Sequence, residues 1–200
     1  MQTGTEMYQE VGNYIIRNWK IEDAPSLAKY ANNSKIWINL RDVFPHPYGL
    51  KDANAFISRA VEADPATMFA IATGSEAIGG IGLMLGKDVH RFTAEMGYWL
   101  AEPYWGKGVM TPTVQFLADW AFQNLKLHRI SAEPYATNTA SHKVLEKAGF
   151  TREGVLRSSV FKDGKILDQF VYSRLGEVAV QSASSAALST TPVLNETLPI

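Results

Sequence analysis

Apolar residues recur along this chain at two spacings, two and three-to-four, and the switches between them lay out a series of strands and helices. Residues 1 to 12 are polar and unpatterned and read as a loose leader. Tyr14 to Trp19, with β-branched and aromatic residues, predicts a strand, and Glu22 to Ala31 a helix whose Leu27, Tyr30 and Ala31 share a face. Asn32 to Leu40 continues as a second short helix, with Ile36, Trp37 and Leu40 at helical spacing, until Phe44-Pro-His-Pro-Tyr48 breaks regular structure. Asp52 is placed to cap a helix carrying Ala55, Phe56, Ala60 and Val61 on its buried side.

Thr67 to Thr73, Ala77 to Gly86 and Thr93 to Leu100 then read as three strands of an antiparallel meander, joined by Gly74-Ser75 and by the polar turn Lys87 to Arg91. Gly79, Gly80 and Gly82 in the middle strand point to a bulge or a close backbone approach. A helix follows Gly108, with Val114, Leu117, Ala118 and Ala121 on one side, and His128 to Tyr135 returns as a strand. Strand, crossover helix and parallel strand form a right-handed unit that opens a crevice at the strand ends, where ligands bind. Asn138 is an N-cap for a helix that stops at Gly149. A hairpin over Val155 to Phe161 and Ile166 to Tyr172, turning at Asp163-Gly164, completes the domain. The fold class is α/β with a mixed, mostly antiparallel splayed sheet, as one domain over residues 13–175. Residues 176–200, rich in serine, alanine and threonine with almost no charge, read as a low-complexity tail.

Charge and composition narrow the function more than the fold. The 200 residues are 46% hydrophobic, enough for one substantial core. Nineteen basic against twenty acidic residues argue against a nucleic-acid partner. The absence of cysteine removes disulfides, cysteine metal sites and a cysteine nucleophile, and no metal site is expected. No run has the length of a membrane span, and Met-Gln-Thr-Gly-Thr-Glu lacks the regions of a signal peptide, so the expectation is a soluble cytoplasmic protein, monomeric or homodimeric.

The candidate chemistry gathers where the third meander strand turns into a helix, at Glu102-Pro-Tyr-Trp-Gly-Lys-Gly-Val-Met-Thr111. The first N–H groups of a helix lack intrahelical acceptors and, with the positive end of the helix dipole, make an anion site. Glycines let the backbone approach a pyrophosphate closely. The loop is too short for a P-loop and lacks the third glycine of the dinucleotide fingerprint. Taken with Ala94-Glu-Met-Gly-Tyr-Trp-Leu100 and Asn138-Thr-Ala-Ser141-His-Lys-Val-Leu145-Glu-Lys-Ala-Gly149-Phe150, it resembles the acetyl-coenzyme A signature of the GNAT superfamily of N-acetyltransferases. The likeness spans roughly Tyr14 to Leu175 and is greatest to the branch that acetylates protein N-termini, including those of ribosomal proteins.

That resemblance implies acetyl-coenzyme A as co-substrate and direct acetyl transfer to an amine, a protein N-terminus being favoured over a small-molecule amine. A non-catalytic coenzyme A sensor or assembly module on the same scaffold is the alternative of a different class. The cofactor-binding set it implies is Leu100, Trp105, Gly106, Lys107, Gly108, Val109, Met110, Thr111, Asn138 and Ser141, with Glu95 and Ser141 as catalytic residues. Glu95 would take the proton of the acceptor amine, directly or through a water, with His46 in reserve; an exposed strand charge or an ion pair is the plain reading of the same residue. His90, His128 and His142 read as surface or packing histidines. Phe44 to Tyr48 is either an acceptor-site wall or a packed connector. Two departures from the family pattern stand out: Leu145 occupies the position where many relatives carry a proton-donating tyrosine, and Pro112 stands where a glutamate is common. Without cysteine, a ternary complex is expected rather than an acetyl-enzyme.

Overall fold

The computed structural model describes residues 7–176. The chain runs β1 (Tyr8–Val11), β2 (Tyr14–Asn18), α1 (Ala24–Ala31), α2 (Ser34–Trp37), α3 (Leu50–Glu62), β3 (Met68–Ala72), β4 (Ala77–Leu85), β5 (Thr93–Leu100), α4 (Met110–Asn124), β6 (Arg129–Ala132), α5 (Thr139–Lys147), β7 (Thr151–Lys162) and β8 (Lys165–Leu175). The predicted meander, the crossover and the final hairpin are all present. β1 is a correction, because its residues fall in the stretch expected to be a loose leader. Its side chains are mostly exposed, so no apolar period announces it; it is held by backbone pairing to β2, by a turn through Gly12 at φ +60°, and by the Met7 amide donating to Asn18 Oδ1 at 2.6 Å. The expectation for residues 177–200 lies outside the described residues.

Among the described residues, eight strands form one sheet in the order β1-β2-β3-β4-β5-β6-β8-β7. Every neighbouring pair is antiparallel except β5 with β6. Strand alternation then sends side chains to two separate cores. Ile16, Phe69, Ile71, Ala94, Met96, Leu100 and Ile130 pack with Val114, Leu117 and Ala121 of α4 and Leu145 of α5. Trp19 and Ala70 pack on the other face with Leu27 of α1 and Ala53, Ile57 and Ala60 of α3, where Trp99 also lies. The α3 cap differs in detail from its prediction: Gly49 is the N-cap, and Asp52 sits three residues in, its carboxylate accepting from the Gly49 amide at 2.9 Å.

Both readings of the β4 glycines hold. The register shifts between Ile71 and Ala72, which face Gly79 and Ala77, so Ile78 is the extra residue of a bulge. A Cβ on Gly79 would stand 2.6 Å from the Trp99 carbonyl oxygen, and one on Gly80 would stand 2.9 Å from the Trp99 indole nitrogen. β4 can therefore hold β5 in place only while those positions lack side chains. Gly79→Ala is expected to cost about 1–3 kcal/mol of stability, as overpacking against a backbone atom that cannot swing away. Urea denaturation checks this; an unchanged midpoint would show that the contact relaxes freely.

Candidate active site

The sheet opens between β5 and β6. They pair only over Thr93↔Arg129, Ala94↔Ile130 and Glu95↔Ser131, while β5 stays paired to β4 as far as Leu100. After Ala132 the chain is drawn towards β8: Gln169 Nε2 donates to the Glu133 carbonyl at 3.0 Å and the Phe170 amide to the Pro134 carbonyl at 3.0 Å. The two strands therefore diverge like the legs of a V, around a cleft of about 1080 Å³ that reaches both faces of the sheet.

At one end the cleft meets the glycine loop. Gly106 and Gly108 have φ of +72° and +74°, a region where other residues are strained, and a Cβ on either would point into open space. Among the described residues, none of the backbone amides from Gly106 to Thr111 donates a hydrogen bond, so they converge unsatisfied at the start of α4. A pyrophosphate fits that donor set. Pro112 is the third residue of α4, where an N–H would have no intrahelical acceptor, so the proline breaks no helix hydrogen bond of its own, although it takes one donor out of the set. Lys143 and Lys147, one turn apart on α5, also line the cleft and supply positive charge that motif reading alone did not single out.

Of the expected cofactor residues, Leu100, Trp105, Gly106, Gly108, Val109, Met110, Thr111, Asn138 and Ser141 all line the cleft. Lys107 does not; its ammonium lies over the Tyr104 ring, 5.3 Å from the centroid. Trp105 ties the loop to the strand end, its indole N–H donating to the Leu100 carbonyl at 2.7 Å. Asn138 caps α5 through Oδ1, which accepts from the Ser141 amide at 3.2 Å, leaving its amide hydrogens available to a ligand.

Leu145, at the position of the missing tyrosine, is fully buried. A tyrosine hydroxyl nevertheless reaches the site from another strand: Tyr98 Oη lies 2.7 Å from Ser141 Oγ. Burial pushes the Tyr98 hydroxyl well above the ordinary tyrosine range, against the opposing effect of its bond to Ser141. Sequence reading missed this pair because 43 residues separate its members. Only the alternation of β5, which sends Tyr98 to the face of α5, links them.

Glu95 faces the opposite side of the sheet. It lines the cleft and is ion-paired to Arg41, with Nη2 to Oε1 at 2.5 Å. Glu133, at the end of β6, lines the same side, and burial raises its pKa, with the negative charge of Glu95 acting in the same direction and Arg41 against both. Phe44 and Tyr48 of the proline-broken loop also line the cleft, so the segment serves as both wall and connector. His46 is not among the lining residues and stacks on Trp37 with centroids 5.4 Å apart. On the same indole lies Lys162 of β7, its Nζ 3.9 Å from the ring centroid and 2.7 Å from Asp42, which fastens the final hairpin to the loop. His142 is a packing residue between Phe170 and Tyr172, bonded to the Tyr135 carbonyl at 3.1 Å, and His128 stacks on Phe92.

A family model described as acetyltransferase (GNAT) domain matches residues 13–151. The chain belongs to the GNAT acetyltransferase family. Its donor is accordingly acetyl-coenzyme A, and its reaction class is N-acetyl transfer. The uncharacterized N-acetyltransferase p20 of Bacillus licheniformis is 31% identical over 164 residues, covering 80% of this chain and 91% of that protein. A shorter stretch of 72 residues is 49% identical to the probable N-acetyltransferase YjcK of Bacillus subtilis and spans 36% of this chain but only 40% of that relative. The crystal structure of ribosomal-protein-S5-alanine acetyltransferase from Vibrio fischeri superposes with a TM-score of 0.76 at 24% identity, over 86% of this chain and 98% of that one, which establishes the GNAT fold. Among the described residues no helix is long and apolar enough to cross a membrane.

The glycine loop yields a direct expectation. Gly108→Asp adds roughly 1–2 kcal/mol of left-handed strain and sets a carboxylate in the anion site, so coenzyme A affinity should fall at least about tenfold. Calorimetric titration reads this, with Gly108→Ala separating strain from charge. Equal affinity for wild type and Gly108→Asp would remove the pyrophosphate from this loop.

Proposed function

We propose that this protein transfers an acetyl group directly from acetyl-coenzyme A to the terminal amine of a protein chain. The observation that carries the reading is the two-faced cleft, with unsatisfied amides and the Ser141–Tyr98 hydroxyls towards α4 and α5, and carboxylates towards the loop Ile38 to Tyr48. When bound, the donor supplies an activated acetyl group on a thioester. In this reading Ser141 hydrogen-bonds the departing sulfur, Tyr98 behind it orients the hydroxyl and relays a proton, and the carboxylate side receives the acceptor as its ammonium form. Among the described residues lining the cleft there is no cysteine or other activated nucleophile, which supports a ternary complex over an acetyl-enzyme.

A protein N-terminus is favoured over a small amine because the acceptor mouth is open. Arg41, Val43 and Met84 line it and are exposed, Val43 by 80%, so the body of a polypeptide can remain outside while its first residue enters. The motif likeness to N-terminal acetylating enzymes supports the same choice. Thiol release over a panel of N-terminal peptides, polyamines, amino sugars and small amines tests it; turnover confined to the small amines would overturn the acceptor class.

Two substitutions examine the hydroxyl pair. Ser141→Ala and Tyr98→Phe should each lower kcat by roughly tenfold, the value of one hydrogen bond that water partly replaces, while coenzyme A affinity stays within about threefold of wild type. The double variant should lose little more than either single one, since the two act through one bond. Fully multiplicative losses in the double variant would show that the two hydroxyls work separately.

A further inference from the structure

The acceptor side holds two carboxylates, and the structure treats them differently. Glu95, the residue that sequence reading favours as base, has its Oε1 on the Arg41 guanidinium. A carboxylate held by a guanidinium is a poor proton acceptor, because protonation would break the charge-assisted bond. Glu133 makes no side-chain hydrogen bond or ion pair among the described residues, although it is half-buried in the cleft wall.

Its placement follows from the splay. Glu95 and Ser131 are partners in the parallel ladder and share a face, while Ile130 and Ala132 turn into the opposite core. Continuing the alternation by one residue sets Glu133 on the face of Glu95, at the point where the strands have parted. Next to Glu95 on that face of β5 is Gly97, where a Cβ would meet nothing within 4 Å. The space over Gly97 is thus free, and Glu95, Gly97 and Glu133 all line the one cleft that also reaches the glycine loop. The Glu133 backbone is fixed from β8 by the bond from Gln169, so the carboxylate is carried on a rigid segment.

We propose that Glu133 is the residue that takes the proton from the acceptor ammonium, with the Glu95–Arg41 pair positioned beside it to tune its charge. This rests on the acetyl-transfer reading above. The amine enters protonated and gives one proton to the Glu133 carboxylate. Its freed lone pair then forms the C–N bond to the thioester carbonyl carbon as the C–S bond breaks. The second nitrogen proton ends on the departing sulfur through the hydroxyl side, and the proton on Glu133 passes to solvent, leaving amide, free thiol and one released proton.

Burial and the neighbouring Glu95 charge raise the proton affinity of Glu133, which brings it closer to that of a useful base near neutral pH. The charges that act on it are those of Glu95 and Arg41; Asp42 of the loop is paired to Lys162, Tyr135 lies on its own segment, and on β8 Asp168 accepts from the Ser158 amide, Tyr172 bonds Glu146 and Arg174 pairs with Asp119. Because Glu133 works only when deprotonated, activity should fall as pH drops through its raised pKa. Removing Glu95 takes away a charge that raises this pKa and frees Arg41 to lower it, so both changes move the acid limb to lower pH.

The test combines pH–rate profiles of kcat for N-terminal peptides with carbon-13 NMR titration of glutamate side-chain carboxyls in wild type, Glu133→Gln and Glu95→Gln. Glu133→Gln should lower kcat about a hundredfold or more and erase the acid limb, with coenzyme A affinity unchanged. Glu95→Gln should retain most turnover and shift the acid limb, and the Glu133 carboxyl titration with it, towards lower pH. An acid limb that survives in Glu133→Gln but vanishes in Glu95→Gln would overturn the assignment and restore Glu95 as the base. A Glu133 carboxyl that titrates like an ordinary glutamate and ignores Glu95→Gln would overturn it independently of turnover. Thiol release from no acceptor at all would instead sink the acetyl-transfer reading, and this assignment with it.

Discussion

The site depends on a parallel pairing only three residues long. A parallel ladder between β5 and β6 requires a crossover, and α4 provides it; the same crossover puts a helix N-terminus at the end of β5. Because the ladder stops at Glu95, the remaining edge of β5 is left without a strand partner. Exposed backbone groups of that kind are costly in a closed core, and a ligand that runs between the strands can satisfy them. The glycines of β4 belong to the same constraint. They allow β4 to press against the Trp99 backbone and keep β5 straight while β6 leans away towards β8.

Most of the scaffold could be read from periodicity and punctuation. The three meander strands, the Asp163-Gly164 hairpin and the Asn138 cap rest on local rules, and local rules are what a sequence displays. β1 escaped because a strand held by backbone pairing alone, with its side chains in solvent, has no hydrophobic alternation to show. The glycine loop and the Asn138 cap were legible for a related reason, since both are contiguous motifs. The Lys107 side chain turns over the Tyr104 ring, because adjacency in a motif does not say which way a long flexible side chain will go.

The reacting end was far less legible. Tyr98 and Ser141, Glu95 and Arg41, and Glu133 with its open space over Gly97 come together only through strand alternation and the placement of neighbouring strands. No spacing rule connects residues 43 or 54 positions apart. The missing tyrosine of α5 illustrates the point: a motif can record that Leu145 stands there, but not that β5 brings the Tyr98 hydroxyl beside Ser141. The two halves also differ in electrostatics. One half carries free amides and lysines and the other carboxylates, with the sheet between them, an arrangement that suits the proposed anionic donor and cationic acceptor.

Since the cleft passes through the sheet, its two openings lie on opposite surfaces of the molecule. Under the proposed acetyl transfer, the long carrier and the body of the acceptor would enter by different doorways, with only a slender tip of each meeting in the gap. Either could then load first, and a bulky polymer seated at one opening would leave the spent carrier free to depart through the other.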